Sequence, residues 1–173
     1  MHYTTLYQSP LGDIFLACDD IGLTGLWFKG QKHFAAGLSS EHIFIENHEQ
    51  LPILLTEVIR WLDIYFSGDT PDFTPSLHLS GTLFQLEIWE ILLTISHGTT
   101  TTYGEIAKKL AKKHGLLSMS AQAVGNAVGR NPVSIIVPCH RVLGSNGKLT
   151  GYAGGIERKQ ALLMLEINTS LVF

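Results

Sequence analysis

Short runs of alternating apolar and polar residues fill the first third of the chain, a pattern that is typical of antiparallel β-strands. Three such runs, YTTLYQS, DIFLACD and LTGLWF, are separated by Pro-Leu-Gly and Asp-Asp-Ile-Gly turns. From about Glu49 to Phe66 the apolar residues recur with the spacing of a helix, which Gly68 ends. Residues 69–81 contain prolines and little periodicity, which predicts a linker between two domains.

After the predicted linker the pattern becomes mainly helical. One apolar stripe runs from Phe84 to Ile95, and a second helix, YGEIAKKLAKKHG, carries lysines on its outer face. A short helix is predicted from Ser120 to Val128, with Ser118 or Ser120 as its N-cap. Two short helices with a tight connection resemble a helix-turn-helix, although most helical hairpins bind no DNA.

The short helix after Ser120 has very little side-chain volume, because its sequence is AQAVGNAVG. Its composition by itself favours close packing against another helix. A slim helix could also enter the minor groove of DNA, which is about 6 Å wide. The pattern leaves both interpretations open.

Charge is distributed unevenly along the 173 residues, a length that suits one large domain or two small ones. Residues 1–81 carry three Lys and Arg against ten Asp and Glu, a balance of −7, and residues 82–173 carry nine against five, a balance of +4. This asymmetry favours a polyanionic partner for the C-terminal half, and unevenly solvated surfaces are the alternative. Since the sequence has neither a signal-peptide pattern nor an apolar run of membrane-spanning length, we expect a cytoplasmic protein without membrane contact.

The candidate chemistry lies around Cys139, in the segment VSIIVPCHRVLGSNG. The apolar run at residues 133–137 stands between two prolines and predicts a buried, extended strand, because residues before proline disfavour the helical region. A thiol becomes nucleophilic beside a base and a positive charge, which His140 and Arg141 can supply. Glu166 is isolated among apolar residues of a predicted helix and is a candidate to orient His140.

A structural cysteine beside a surface histidine is the alternative, and an isolated Cys-His pair would favour it. The Asn131–Pro132 turn and the glycine-rich segment GSNGKLTGYAGG weaken this alternative, because glycines allow the backbone to approach a flat ligand. Cys18, in the second predicted strand, is expected to be a core residue. We expect no metal and no cofactor, since no His or Cys cluster has ligand spacing and the glycines match no phosphate-binding fingerprint.

The segment NPVSIIVPCHRVLGSNGKLTGYAGG closely resembles the active-site signature of the DNA alkyltransferases that repair guanine alkylated at its O6 atom. The similarity continues upstream through GTLFQLEIWEILLTISHGTTTTYGEIA and SAQAVGNAVGRNP, and thus covers the C-terminal half. The resemblance implies an α/β plus α fold. An N-terminal ribonuclease-H-like α/β scaffold domain would occupy residues 1–68, the linker residues 69–81, and a helical, winged-helix-like DNA-binding domain with a helix-turn-helix residues 82–173.

The resemblance also implies roles for single residues. Cys139 would accept the alkyl group irreversibly, and His140, oriented by Glu166, would take its proton through a water while Asn131 holds the turn. The substrate-binding residues would be Tyr103, which donates to the flipped guanine, and Val142, Ser145, Tyr152 and Ala153. The DNA-binding residues would be Thr102, Gly104, Ser120, Ala121, Gln122, Ala123 and Gly125. The implied partner is double-stranded DNA that carries O6-alkylguanine. A monomer of the protein would bind this DNA through the minor groove of the DNA. Whether O4-alkylthymine is a second substrate is left open.

Two features depart from the pattern of this family. Gln122 stands where an arginine commonly intercalates, and the connection KKLAKKHGLLSMS is longer than usual. The lysines of this connection either contact phosphates or form a solvated face. Arg141 is expected to brace the loop or the domain interface more than it activates the thiol.

Each of three alternative functions can be distinguished from alkyl transfer by one feature. A non-catalytic binder of damaged DNA would have tryptophan in place of Cys139, and a methylation-sensing regulator would need an additional metal-binding domain. A Cys-His hydrolase would react repeatedly, whereas an alkyltransferase would stop after one equivalent.

Overall fold

A four-stranded sheet forms the N-terminal part of the structure, a computed structural model that describes residues 1–167. Its strands are β1 (His2–Ser9), β2 (Gly12–Cys18), β3 (Leu23–Phe28) and β4 (His42–Phe44), in the order β3-β2-β1-β4. β2 pairs antiparallel with β1 and with β3, while β4 joins β1 in parallel. The three strands predicted from the alternating pattern are confirmed, and β4 was not predicted.

Helix α1 (Ile53–Phe66) packs against β2 and buries one apolar face. It begins four residues later than predicted, because Pro52 restricts Leu51 to the extended conformation seen there. Glu49 lies instead in a separate 3₁₀ turn, His48–Gln50. The buried residues of α1 are Leu55, Val58, Trp61, Leu62, Tyr65 and Phe66.

Four helices dominate the C-terminal part: α2 (Leu83–Leu93), α3 (Tyr103–Lys113), α4 (Ala121–Gly129) and α5 (Ile156–Ile167). Helices α3 and α4 pack together as the predicted helix-turn-helix. Two very short strands, β5 (Thr101–Thr102) and β6 (Val142–Leu143), pair in parallel beside α3. The predicted α/β plus α fold is therefore confirmed.

The outer edge of β3 connects the two parts of the structure. Leu23 forms an isolated bridge with Leu77 of the predicted linker, and Leu26 forms one with Val133. The backbone of Leu26 makes hydrogen bonds of 2.9 and 3.0 Å with residues 132–134. The segment that leads to Cys139 is thus anchored on the N-terminal sheet.

The strand predicted at residues 133–137 is wrong. Only Val133 forms a bridge, and Ile135 has a φ of 70°, a left-handed conformation that is costly for a β-branched residue. The Asn131 side chain accepts from the Val133 amide at 3.0 Å and donates to the Val137 carbonyl at 2.8 Å, which stabilises a turn. Burial of the segment was correctly predicted, but this local polar network determines its conformation.

The predicted linker is itself hydrogen bonded to the N-terminal part. Trp61 Nε1 donates to the Phe73 carbonyl at 2.9 Å, and His78 Nδ1 lies 2.6 Å from Asp19 Oδ2. The domain boundaries stay a prediction, and residues 168–173 of the predicted C-terminal domain lie outside the described residues. Within residues 1–167, no helix is long and apolar enough to cross a membrane.

Candidate active site

Cys139 begins a single 3₁₀ turn, Cys139–Arg141, which follows Pro138 directly. Its side chain is only 5% exposed and lines a cleft of about 760 Å³. The walls of this cleft come from the start of α2, from α3 and α4, from the turns at Asn131 and Cys139, from the glycine-rich segment after β6 and from the loop after β3. A nearly buried thiol in the wall of a large cleft can be reached by a ligand that enters the cleft.

Burial raises the pKa of the Cys139 thiol, although the Asn131 amide and the Lys159 charge oppose this effect. The resting side chain is consequently a neutral thiol rather than a thiolate. Since the thiolate is the nucleophilic form, Cys139 needs a base during the reaction.

His140 has the properties of that base. Its Nε2 lies 2.6 Å from Glu166 Oε1, and its Nδ1 has no hydrogen-bond partner among the described residues. Complete burial lowers the pKa of His140, and the Arg141 and Lys159 charges act in the same direction, while Glu166 raises it. A neutral imidazole that donates through Nε2 keeps a lone pair on Nδ1 for a proton.

Glu166 is held by a fork of hydrogen bonds from Arg141. Arg141 Nε donates to Oε2 and Nη2 to Oε1, both at 2.9 Å, and Nη1 donates to the Ile95 carbonyl at 2.6 Å. Burial by itself would raise the pKa of Glu166, but the hydrogen bonds and charges of His140 and Arg141 hold it far below its usual range. Arg141 therefore braces α5 against the Cys139 turn and fixes the charge of Glu166.

The predicted substrate residues are only partly brought together. Tyr103, Tyr152 and Ala153 line the cleft together with Asn131 and Cys139. The Tyr103 hydroxyl donates to the Thr150 carbonyl at 3.4 Å. Two predicted residues are not in the cleft wall: Val142 is buried in β6, and Ser145 is exposed in the 3₁₀ turn Ser145–Gly147.

The predicted DNA-binding residues cluster at the start of α3 and along α4. Thr102 and Ser120 are the N-caps of these helices, and their side chains accept from the amides of Glu105 and Ala123. Gly104 is half-buried in the first turn of α3. Two predicted residues are exposed, Ala121 and Gln122, and two line the cleft, Ala123 and Gly125.

One face of α4 packs against the other helices, while its small residues Ala121 and Gly129 are exposed, so both sequence interpretations of this helix stay predictions. The buried residues Val124, Ala127 and Val128 face the other helices, and Trp89 Nε1 donates to the Ala127 carbonyl at 2.9 Å. A Cβ atom added at Gly125 would lie 3.7 Å from the Tyr103 ring. The exposed face of α4 is accessible to a ligand. That α4 enters a groove of DNA stays a prediction.

Lys159 is a site residue that sequence reasoning missed. It is fully buried, and its Nζ donates to the carbonyls of Val142, Thr150 and Gly151 at 2.6, 2.8 and 3.1 Å. Burial lowers its pKa to about 8, so the ammonium group remains charged near neutral pH and uses all three protons. The missed signal was its spacing, since Lys159 lies seven residues before Glu166 on the same helical face.

Tyr65 was also missed, because it belongs to the apolar stripe of α1 and was read as core. Its hydroxyl donates to Glu166 Oε1 at 2.8 Å, so the N-terminal part reaches the buried acid. Helical spacing explains the burial of the ring but contains no signal for the partner of the hydroxyl. Lys32 and His33, in the loop after β3, bring the N-terminal part to the cleft as well.

Comparison with known proteins finds matches to one family over nearly the whole chain. Residues 83–168 match the family described as 6-O-methylguanine DNA methyltransferase, DNA binding domain, and residues 1–79 match its ribonuclease-like domain. The methylated-DNA–protein-cysteine methyltransferase of Methanosarcina acetivorans is 44% identical over 165 residues, which are 95% of this chain and 97% of that relative. The relative of the same description in Mycobacterium leprae is 49% identical over 159 residues, 92% of this chain and 88% of its own.

Among solved structures, the Mycobacterium tuberculosis protein OGT, crystallised in complex with DNA, superposes with a TM-score of 0.81 at 38% identity. The match covers 96% of this chain and 94% of that protein. Both parts of the fold, the surroundings of Cys139 and these similarities agree: the chain belongs to the 6-O-methylguanine DNA methyltransferase family.

Proposed function

We propose that this protein repairs DNA by transferring an alkyl group from O6 of guanine to Cys139 Sγ, once per molecule. The observation that carries the proposal is the nearly buried thiol of Cys139 in a cleft wall, next to a buried histidine whose Nε2 is held by Glu166. The names of the relatives and the DNA complex of the M. tuberculosis protein support the substrate class.

The transfer step forms one bond and breaks another. The Cys139 proton passes to Nδ1 of His140 through a water, and the thiolate attacks the methyl carbon in line with the bond to O6. The S–C bond forms as the C–O6 bond breaks, and the electron pair of the broken bond stays on the guanine. The product is a thioether, and none of the groups at this site can cleave it.

Tyr103 is suited to neutralise the departing guanine. Burial raises the pKa of its hydroxyl, and the neighbouring Cys139 acts in the same direction, so that Tyr103 stays a hydrogen-bond donor. Its hydroxyl makes a 3.4 Å hydrogen bond to the Thr150 carbonyl, which a base could replace. A donor near the leaving group lowers the barrier because negative charge develops there.

A base must leave the duplex to reach the cleft, at a cost of a few kcal/mol that is lower for a weakly paired base. We propose double-stranded DNA, bound as a monomer through the minor groove, as the partner, with a cytoplasmic location. The positive charge of residues 82–173 supports a phosphate contact. Lys108, Lys109 and Lys112 are exposed on α3 and available for that contact, whereas Lys113 on the same helix pairs with Glu87 at 2.8 Å.

The protein is expected to gain one methyl group, about 14 Da per covalent transfer, when it is mixed with excess duplex containing O6-methylguanine. Intact-mass and peptide mass spectrometry should locate this group on Cys139. A duplex with unmodified guanine serves as the control. Product formation beyond one equivalent would favour a hydrolase, and an unmodified Cys139 would contradict the proposal.

Gln122→Arg is expected to strengthen binding to duplex DNA, because Gln122 is exposed near the start of α4 and carries no charge. One added phosphate contact should steepen the dependence of log K on log salt by about 1. Fluorescence anisotropy over a salt series measures this slope. Gln122→Met removes the polarity without adding charge and is the matched control. An unchanged affinity and slope for the arginine variant would mean that residue 122 makes no phosphate contact.

A further inference from the structure

Tyr65 is the one side chain from the N-terminal strands and α1 that donates to Glu166 in the described structure. We infer that Tyr65 is a positioning residue for alkyl transfer, whose hydroxyl fixes the carboxylate oxygen that holds His140. The inference rests on the proposed function of Cys139. It gives the N-terminal part, predicted to be a scaffold, a role in the reaction.

The geometry puts Tyr65 and His140 on the same oxygen atom. Glu166 Oε1 lies 2.8 Å from the Tyr65 hydroxyl and 2.6 Å from His140 Nε2, while the hydroxyl and Nε2 are 3.5 Å apart. Arg141 Nη2 also donates to Oε1, at 2.9 Å. Because Tyr65 and His140 are fully buried, no solvent competes for these hydrogen bonds.

The 2.8 Å contact makes the Tyr65 hydroxyl a hydrogen-bond donor to the Glu166 carboxylate. Burial raises the pKa of its hydroxyl well above the usual value, and the Glu166 charge next to it acts in the same direction. The hydroxyl therefore keeps its proton near neutral pH and can donate it to the hydrogen bond with Oε1. A carboxylate accepts such a proton along a defined direction, so the bond limits rotation of Glu166.

In the described structure His97 and Gly98 do not bind Oε1, so Tyr65 and Arg141 Nη2 are the donors that share this oxygen with His140. The His97 ring packs edge-on against Tyr65 at 5.9 Å between centroids, and burial lowers its pKa, so it is neutral. The Gly98 amide donates to the opposite oxygen, Oε2, at 3.2 Å. The titratable and charged groups that face His140 and Glu166 are Tyr65 from α1, His97 from the segment after α2, Cys139 and Arg141 from the 3₁₀ turn, Tyr152 and Lys159.

The hydrogen bond from Tyr65 should affect both the position and the basicity of His140. It withdraws negative charge from the oxygen that faces Nε2. Without it, Oε1 would stabilise a protonated His140 more strongly, and the pKa of His140 would rise. The carboxylate would also be freer to turn, which would leave Nδ1 less well oriented for the Cys139 proton.

Tyr65→Phe removes the hydroxyl and keeps the ring. With a duplex containing one O6-methylguanine, we expect the single-turnover rate constant to fall about tenfold, as for one lost hydrogen bond to a charged group. The reaction needs neutral His140, so the rate rises with pH through the pKa of that residue. The midpoint of this rise should move to higher pH in the variant, while the affinity for DNA stays unchanged.

Tyr7→Phe is a matched control within the same part of the structure. Tyr7 donates to Asp63 Oδ1 at 2.7 Å, a hydrogen bond of similar length from a tyrosine to a carboxylate, and neither residue lines the Cys139 cleft. A purely structural role of Tyr65 would lower the melting temperatures of both variants without moving the pH midpoint. An unmoved midpoint for Tyr65→Phe would overturn the inference, whether or not the rate constant falls.

A second substitution keeps the test decisive even if Tyr65→Phe does not fold. 3-Fluorotyrosine at position 65 retains the ring and the hydroxyl but makes the hydroxyl a stronger donor. The midpoint should then move to lower pH, opposite to the shift in Tyr65→Phe, and no shift would again overturn the inference. If the wild-type protein gains no methyl group, the proposed function fails; if it gains one and the position-65 variants match it, only the role of Tyr65 fails.

Discussion

Cys139→Ser is expected to abolish alkyl transfer while binding to duplex DNA remains measurable. A serine hydroxyl is a much weaker nucleophile than a thiolate toward a methyl carbon, and its pKa is too high for neutral His140 to deprotonate it. The substitution is nearly isosteric, so the turn held by Asn131 and the cleft should persist. Mass spectrometry after incubation with excess O6-methylguanine duplex should show no added methyl group, and anisotropy should show DNA binding similar to wild type.

The second cysteine provides the control for this experiment. Cys18 is 1% exposed in β2, and burial raises the pKa of its thiol to about 11, with Asp19 and Asp20 acting in the same direction. Cys18→Ala should retain one methyl equivalent per folded molecule. Methylation of Cys139→Ser at Cys18 would mean that reactivity is not specific to the cleft.

Glu166→Gln should combine a large loss of stability with a large loss of activity. The substitution leaves the buried Arg141 charge without its partner, and breaking a buried pair in this way costs about 3–5 kcal/mol. The amide cannot accept hydrogen bonds at both of its heavy atoms, so at least one donor among Tyr65, His140 and Arg141 loses its acceptor. We expect the transfer rate constant to fall by about 100-fold or more, because His140, the general base, loses the carboxylate that orients it.

Urea unfolding as a function of pH isolates the charge of Glu166. Because its pKa is depressed in the folded state, the wild type should be most stable above the unfolded value of 4.5 and lose stability as the pH falls below it. The glutamine variant should lack this part of the pH dependence. Glu157→Gln, at an exposed position in the first turn of the same helix, is the control and should match wild type. Equal acid sensitivity of Glu166→Gln and wild type would contradict the assignment.

The sequence predicted those features that depend on local pattern. Alternating residues gave three strands, helical spacing gave the positions of α1 to α4 to within a few residues, and of the two candidate caps, Ser118 and Ser120, the structure has Ser120. The pairing of His140 with Glu166 could be expected because a single acid in an apolar helical face needs a partner. The local sequence pattern was sufficient to predict the structure wherever the residues of one short segment determine the conformation of that segment.

The predictions failed where contacts between residues distant in the sequence determine the backbone conformation or the partner of a side chain. Residues 133–137 look like a strand in isolation, but β3 and the Asn131 side chain shape them into a turn. The contact between Tyr65 and Glu166 joins residues 101 positions apart, and no periodicity in either helix indicates it. Lys159 was overlooked because a lysine is expected on a surface, whereas three backbone carbonyls make its burial favourable here.

The position of α5 in the chain has a consequence for biosynthesis. Glu166 and Lys159 belong to this helix, which follows every other described element and therefore leaves the ribosome after Cys139 and the helix-turn-helix. Before α5 docks, His140 lacks its acceptor and the carbonyls around the cleft lack the Lys159 ammonium group. The complete arrangement of groups around Cys139 therefore forms only after the last described helix has been synthesised and has docked.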